Sequence, residues 1–122
     1  MVHQVDVVVL GAGASGLMLA AEAAKRGRTV VVLEKANKVG KKILMSGGGK
    51  CNFTNLDVEP AHYLSENPHF VISALSRYSQ WDFIGQVCEY GIAYEERTHG
   101  QLFTLNGAKD ILEMLLKECD KA

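Results

Sequence analysis

The amino-acid sequence predicts an α/β fold built on one Rossmann-like β–α–β unit, and three observations carry the prediction. Residues 5–10 (VDVVVL) are an apolar run rich in β-branched side chains, and the glycine turn GAGASG follows at once. An alanine-rich helical pattern occupies residues 17–26 and halts at Gly27. A second apolar run, residues 29–33, ends on the acid Glu34. Strand, glycine turn, helix, strand and acid, in that order, form the dinucleotide-binding fingerprint in its full context.

Each part of the fingerprint has a physical task. Gly11 permits the tight turn out of the strand. Gly13, without a Cβ, lets a pyrophosphate approach the backbone, and Gly16 lets the helix pack close to the sheet. The helix start, with Ala14 and Ser15, offers N–H groups without partners and the positive end of the helix dipole. Glu34 follows Gly16 by 18 residues, at the end of the second strand, where a carboxylate accepts from ribose hydroxyls and repels a 2′-phosphate. Alone, this fingerprint leaves NAD and FAD open, and with them an NAD-dependent dehydrogenase or a non-catalytic dinucleotide-binding or assembly module.

With 122 residues the chain suits one small domain, 1–122,. Its 13 basic and 14 acidic residues nearly cancel, so the balance calls for no nucleic acid and no membrane surface. The apolar stretches are strand-sized, which predicts no membrane span, and residues 1–6 lack the basic region and cleavage site of a signal peptide. Cys51, Cys88 and Cys119 are odd in number and widely spaced, which predicts reduced thiols in a cytoplasmic protein. The four histidines show no ligand spacing, and no metal is expected.

Further elements follow in order. The helix over 15–26 is rich in alanine, suited to close approach to a sheet, and carries Lys25 and Arg26 where cations favour the dipole,. Residues 35–55 (KANKVGKKILMSGGGKCNFTN) read as a ligand-facing loop, because three successive glycines suit neither helix nor strand while Ile43, Leu44, Met45 and Phe53 argue against disorder,. A phosphate-loop motif fails there: Leu44 stands where its first glycine belongs, and Cys51 replaces its Ser/Thr,. Asn67 and Pro68 suit the start of a helix carrying Phe70, Val71, Ala74, Leu75 and Tyr78 at helical spacing, with its aromatic residues in the core,. A second helix over about 79–90 is halted by Gly91. Residues 92–96 and 101–105 read as a small hairpin. A final helix over 108–120 has a clear apolar stripe of Ile111, Leu112, Leu115, Leu116 and Cys119,.

A doubly wound sheet uses more parallel strands than the two found here. The expectation is an incomplete N-terminal segment, its sheet finished by the remainder of its own chain or by a second chain. The 122 residues alone are expected to show no turnover. No Ser/His/Asp set or acid–base pair stands out, and the catalytic residues stay unassigned.

The turn 11–16, Glu34-Lys35 and above all the string from Lys38 to Asn55 resemble the YhiN/BaiN-like bacterial flavoproteins, described as NAD(P)/FAD-dependent or aminoacetone oxidase-like oxidoreductases. Gly100-Gln101-Leu102-Phe103 and Ala108-Lys109-Asp110 are similar to a further stretch of that family. The resemblance covers almost the whole chain but about the first third of a family member. It implies an FAD-binding N-terminal part of a Rossmann-like domain of the two-dinucleotide-binding-domain type, in an enzyme that passes hydride or electrons through FAD. A small-molecule substrate, and possible use of NAD(P)H, belong to the full protein. By the same resemblance Gly11, Gly13, Ala14, Ser15 and Gly16 face the pyrophosphate and Glu34 holds the adenosine ribose, with Lys35 beside it. Lys42 and the loop of Ser46, Gly47, Gly48, Gly49, Lys50, Cys51 and Asn52 run along the pyrophosphate toward the flavin ring. Cys51, with no second cysteine nearby in the sequence, is expected to have a plain packing or contact role and not to relay a disulfide. Thr104 departs from the family pattern, which favours proline or another residue after Phe103, and is expected to be peripheral.

Overall fold

The computed structural model describes residues 2–122. Strand β1, Val7–Leu10, pairs in parallel with β2, Val30–Leu33, in the register Val7↔Val30 to Leu10↔Leu33. Helix α1, Ala14–Lys25, connects them. It ends in a Schellman motif: Gly27 N–H donates to the Ala24 carbonyl at 3.0 Å and Arg28 N–H to that of Ala23 at 3.2 Å. Gly27 takes the left-handed conformation this requires, with φ +82°,.

α1 covers one face of the two strands. Val9, 4% exposed, is sealed beneath it, while Val8 and Leu10 of β1 and Leu33 of β2 stand open on the other side at 55, 81 and 53% exposure. Among the described residues, β2 is the one strand paired with β1. Both observations fit a parallel sheet that is covered on one face only.

Residues 35–55 hold more regular structure than a loop. They contain a short helix α2, Lys41–Met45, a tight glycine turn at Ser46–Gly49 and a strand β3, Asn52–Asn55. β3 pairs antiparallel with β5, Gln101–Thr104, which pairs in turn with β4, Tyr94–Glu96. The expected hairpin is therefore two strands of a three-stranded sheet with β5 at its centre. A string such as NFTN has no strand signature of its own, and the partner strand supplies it.

The stretch around Pro68 also differs from expectation. Residues 67–71 form turns, begun by the Asn67 side chain accepting from His69 N–H at 3.0 Å, and helix α3 covers only Ile72–Arg77. Its aromatic residues are not core: Phe70 is 53% exposed and stacks edge-on against Tyr63, and Tyr78 is 39% exposed. Helix α4, Gln80–Glu89, starts with a capping box between Ser79 and Asp82,. Helix α5, Lys109–Lys121, packs along α1 and α2 and buries Ile111, Leu112, Met114 and Leu115. These join Leu17, Ile43, Val87 and Ala108 in the core, flanked by Phe53, Phe83 and Tyr94. No helix of the described residues is long and apolar enough to cross a membrane.

Candidate functional site

The glycine turn is built as its residue types require. Gly11 has φ +103°, a left-handed conformation that side chains avoid,. A Cβ on Gly16 would stand 1.9 Å from the Gly11 carbonyl oxygen and 3.3 Å from Val9. Gly16 is thus the contact that brings α1 down onto β1. Gly13 is different: its φ of −95° suits any residue, and a Cβ there would meet no atom within 4 Å. The space beside Gly13 is unused by the chain itself. Gly13 is also the N-cap of α1 and supplies no side-chain acceptor. The first amides of α1, at Ala14, Ser15 and Gly16, therefore face outward without an intrahelical partner.

Glu34 holds this turn in place. Its carboxylate accepts Ala12 N–H at 2.9 Å and Ala36 N–H at 2.8 Å, one on each oxygen. The Ala36 and Ala12 amides, in that order, hold its carboxyl below the usual glutamate range,. Each oxygen keeps a second lone pair. Gly40 N–H donates to the Ala12 carbonyl at 2.7 Å, so the connection from β2 to α2 is fastened to the same turn.

The second glycine cluster is equally fixed. Gly47, Gly48, Gly49 and Cys51 have φ of +57, +66, +94 and +50°, so four of five successive residues are left-handed. Glycine adopts this freely, but Cys51 is held there at a conformational cost. Gly47 packs so closely that a Cβ would lie 2.6 Å from Asn52 N and 2.9 Å from the Phe103 ring, whereas Gly48 and Gly49 face open space. Ser46 Oγ donates to the Ile43 carbonyl at 2.6 Å, and Cys51 N–H to that of Ser46 at 2.9 Å. From β5, Thr104 donates twice to the Lys50 carbonyl, from Oγ1 at 2.6 Å and from N–H at 2.9 Å. Thr104 is fully buried. Its expected peripheral role is corrected: it clamps the glycine turn to the sheet.

The two glycine segments meet across an open cleft of about 700 Å³. Gly13, Ala14 and Ser15 line one side and Lys42, Ser46, Cys51 and Asn52 the other, over an apolar floor that includes Met18, Ile43 and Phe83. Met18, Phe83 and the α5 residues Ile111 and Leu115 join the cleft from elements whose sequence gave only a core pattern. Glu34 lies in a separate groove of about 720 Å³ along α1, β2 and α5, which Ala12 also lines. Lys35, Gly47, Gly48, Gly49 and Lys50 line neither. Cys51 is 7% exposed, and burial pushes its thiol up, countered in part by a hydrogen bond with Ser46. Elsewhere, Asp57, Glu59 and His62 bring ligand-type atoms within 4.8 Å of one another, all three exposed. Nothing in their spacing along the chain marks this cluster.

Comparison with known proteins places this geometry. The family profile described as the HI0933-like protein Rossmann domain matches residues 5–122. A ribosomal RNA dihydrouridine synthase of Haemophilus influenzae is 61% identical over 93% of the chain and 28% of its own length. A protein of the same description from Escherichia coli is 54% identical over 95% of the chain and 29% of its own length. The chain thus spans under a third of these relatives. Among solved structures, a 3-ketosteroid-Δ4-(5α)-dehydrogenase from Rhodococcus jostii RHA1 shares the fold with a TM-score of 0.66, over 96% of this chain and 36% of that one, at 16% identity.

Proposed function

The chain belongs to the HI0933-like Rossmann domain family, and from that premise we propose that it is the FAD-binding N-terminal part of an oxidoreductase that saturates the C5–C6 bond of uridine in ribosomal RNA. The observation that carries the cofactor reading is the cradle at Gly13: outward-facing amides at the start of α1 beside space that no side chain of the protein uses. This fits a diphosphate. The residues of the cleft fit the larger, flatter end of such a dinucleotide, and those of the Glu34 groove its adenosine end. The relatives of 61 and 54% identity, both described as ribosomal RNA dihydrouridine synthases, support the substrate.

In this reading the Ala14, Ser15 and Gly16 amides bind the pyrophosphate, with Gly11 shaping the turn. Glu34 uses its remaining lone pairs for the adenosine ribose while its first pair keeps the turn closed. Lys35 flanks the ribose. Lys42 neutralises phosphate charge and the Ser46 and Asn52 backbone borders the ring, while Gly47, Gly48, Gly49 and Lys50 form the turn that presents them. Cys51, its thiol kept protonated by burial, packs there as a neutral group. FAD, when bound, would carry two electrons from a nicotinamide donor to the uridine double bond, with a proton completing the saturated product.

The test uses the full-length protein. It should purify yellow, with flavin absorbance, and should form dihydrouridine in unmodified ribosomal RNA when supplied with NAD(P)H, as read by nucleoside mass spectrometry. A colourless protein that FAD does not reconstitute, but that NAD stabilises against heat, overturns the cofactor reading. A flavin-loaded protein that leaves ribosomal RNA unchanged overturns the substrate reading.

A further inference from the structure

The charge of this chain is segregated. From Lys35 to Leu56 there are five lysines and no acidic residue, in a chain whose total formal charge is −1. All five, Lys35, Lys38, Lys41, Lys42 and Lys50, are exposed. Among the described residues, none of them has a carboxylate oxygen within 4.0 Å, although Lys25, Arg26, Arg97 and Lys121 each have one. The segment is not free to swing away from the site. Its backbone is fastened to the glycine turn by Ala36 N–H on Glu34 and by Gly40 N–H on the Ala12 carbonyl, and to β5 by Thr104 on the Lys50 carbonyl.

A diphosphate carries two negative charges and is already met by the outward-facing amides of α1. Five unpaired lysines exceed what it needs. Lys38 lies in the turn between those two backbone fastenings. Lys41 opens α2 one residue before Lys42, which lines the cleft. We propose that Lys38 and Lys41 form a docking rim for the phosphodiester backbone of the RNA substrate, on the exposed stretch of chain that runs from Glu34 to Lys42 at the edge of the cleft. This rests on the ribosomal RNA reading above. Exposed, unpaired lysines on a fixed backbone are suited to such contacts, because phosphate binding rests on charge and counterion release and not on base identity.

The experiment compares the full-length, flavin-loaded protein with Lys38→Gln, Lys41→Gln and the double variant. Flavin content is read by absorbance, and affinity for a uridine-containing ribosomal RNA fragment is read by fluorescence anisotropy over a series of salt concentrations. The double variant should keep its flavin and bind RNA on the order of tenfold more weakly, with the slope of log affinity against log salt reduced by about 1.5. Equal loss for RNA fragments of unrelated sequence is part of the expectation. An unchanged slope overturns the proposal, as does an unchanged slope with a raised KM for NADPH, which assigns the lysines to the nicotinamide donor's phosphate. Loss of flavin in both single variants overturns it too, by assigning them to the cofactor. The two readings fail separately. A wild-type protein that binds RNA through these lysines without forming dihydrouridine leaves the rim and removes the substrate reading. Dihydrouridine formed equally by the double variant, at unchanged affinity, does the reverse.

Discussion

At the scale of single residues, the glycines of the first turn divide into two kinds. Gly16 is required by the protein, since a Cβ there strikes the Gly11 carbonyl, a backbone atom that cannot turn aside. Gly13 has no atom beside it that a Cβ would strike. Gly16→Ala should therefore lower the stability of the fold itself by about 1–3 kcal/mol, with flavin lost as a consequence. Gly13→Ala, which strikes no atom but is a poorer N-cap than glycine, should cost the flavin-free protein about 1 kcal/mol or less and still lose flavin, through a methyl group placed against the diphosphate. Urea unfolding of flavin-free samples beside the flavin content of the purified variants separates the two. A Gly13→Ala protein that keeps its flavin would move the diphosphate elsewhere. The sequence showed both glycines but not this division, because G-x-G-x-x-G is one pattern serving two needs.

At the scale of elements, α1, α4 and α5 are joined by one buried acid. Glu118 of α5, 7% exposed, accepts from Lys25 at the end of α1 at 2.7 Å, from the Tyr90 hydroxyl after α4, and from Lys121 at 3.1 Å. Lys25, and then Tyr90, lower its pKa from 4.5 to about 2. A carboxyl whose pKa is lower folded than unfolded stabilises the fold above its unfolded value, and the contribution is lost as pH falls through the folded value. Glu118→Gln should therefore destabilise the protein near neutrality by about 1–3 kcal/mol. The gap to wild type should narrow between pH 4.5 and 2, as followed by urea midpoints across that range. A gap independent of pH would make the interaction one of shape and not of charge. None of this was legible in the sequence, where Glu118 reads as the solvent side of an amphipathic helix. Periodicity located α5 and its stripe correctly, but a partner 93 residues away leaves no local trace. The same reason hid β3, whose strand character comes from β5, and the clamp at Thr104. What was legible was local: the β–α–β unit, its glycine turn, the Gly27 stop and the hairpin of β4 and β5. Phe70 and Tyr78 failed in the opposite sense, since helical spacing of apolar residues predicts a buried face only where another element arrives to bury it.

At the scale of the whole molecule, the parallel strands are finished on one side only. Val8, Leu10 and Leu33 form an apolar surface that α1 does not reach, and surfaces of this kind are where soluble proteins associate or aggregate. The 122-residue chain on its own should bind a hydrophobic dye such as ANS, and Leu10→Lys combined with Leu33→Lys should reduce that binding severalfold. Dye binding that does not respond to these substitutions would locate the exposed apolar surface elsewhere, around Leu64 and Trp81. The near-neutral total charge conceals a local excess: the five lysines between Lys35 and Leu56 are balanced by acids elsewhere in the chain.

The double grip of Glu34 on Ala12 and Ala36 has a consequence for how a ligand is received. Both segments that border the cradle are tied before anything arrives, so little chain freedom is surrendered at the moment of association. The affinity of the cradle is then reduced little by loop ordering, and the encounter resembles the filling of a set mould more than the folding of a flap around its guest.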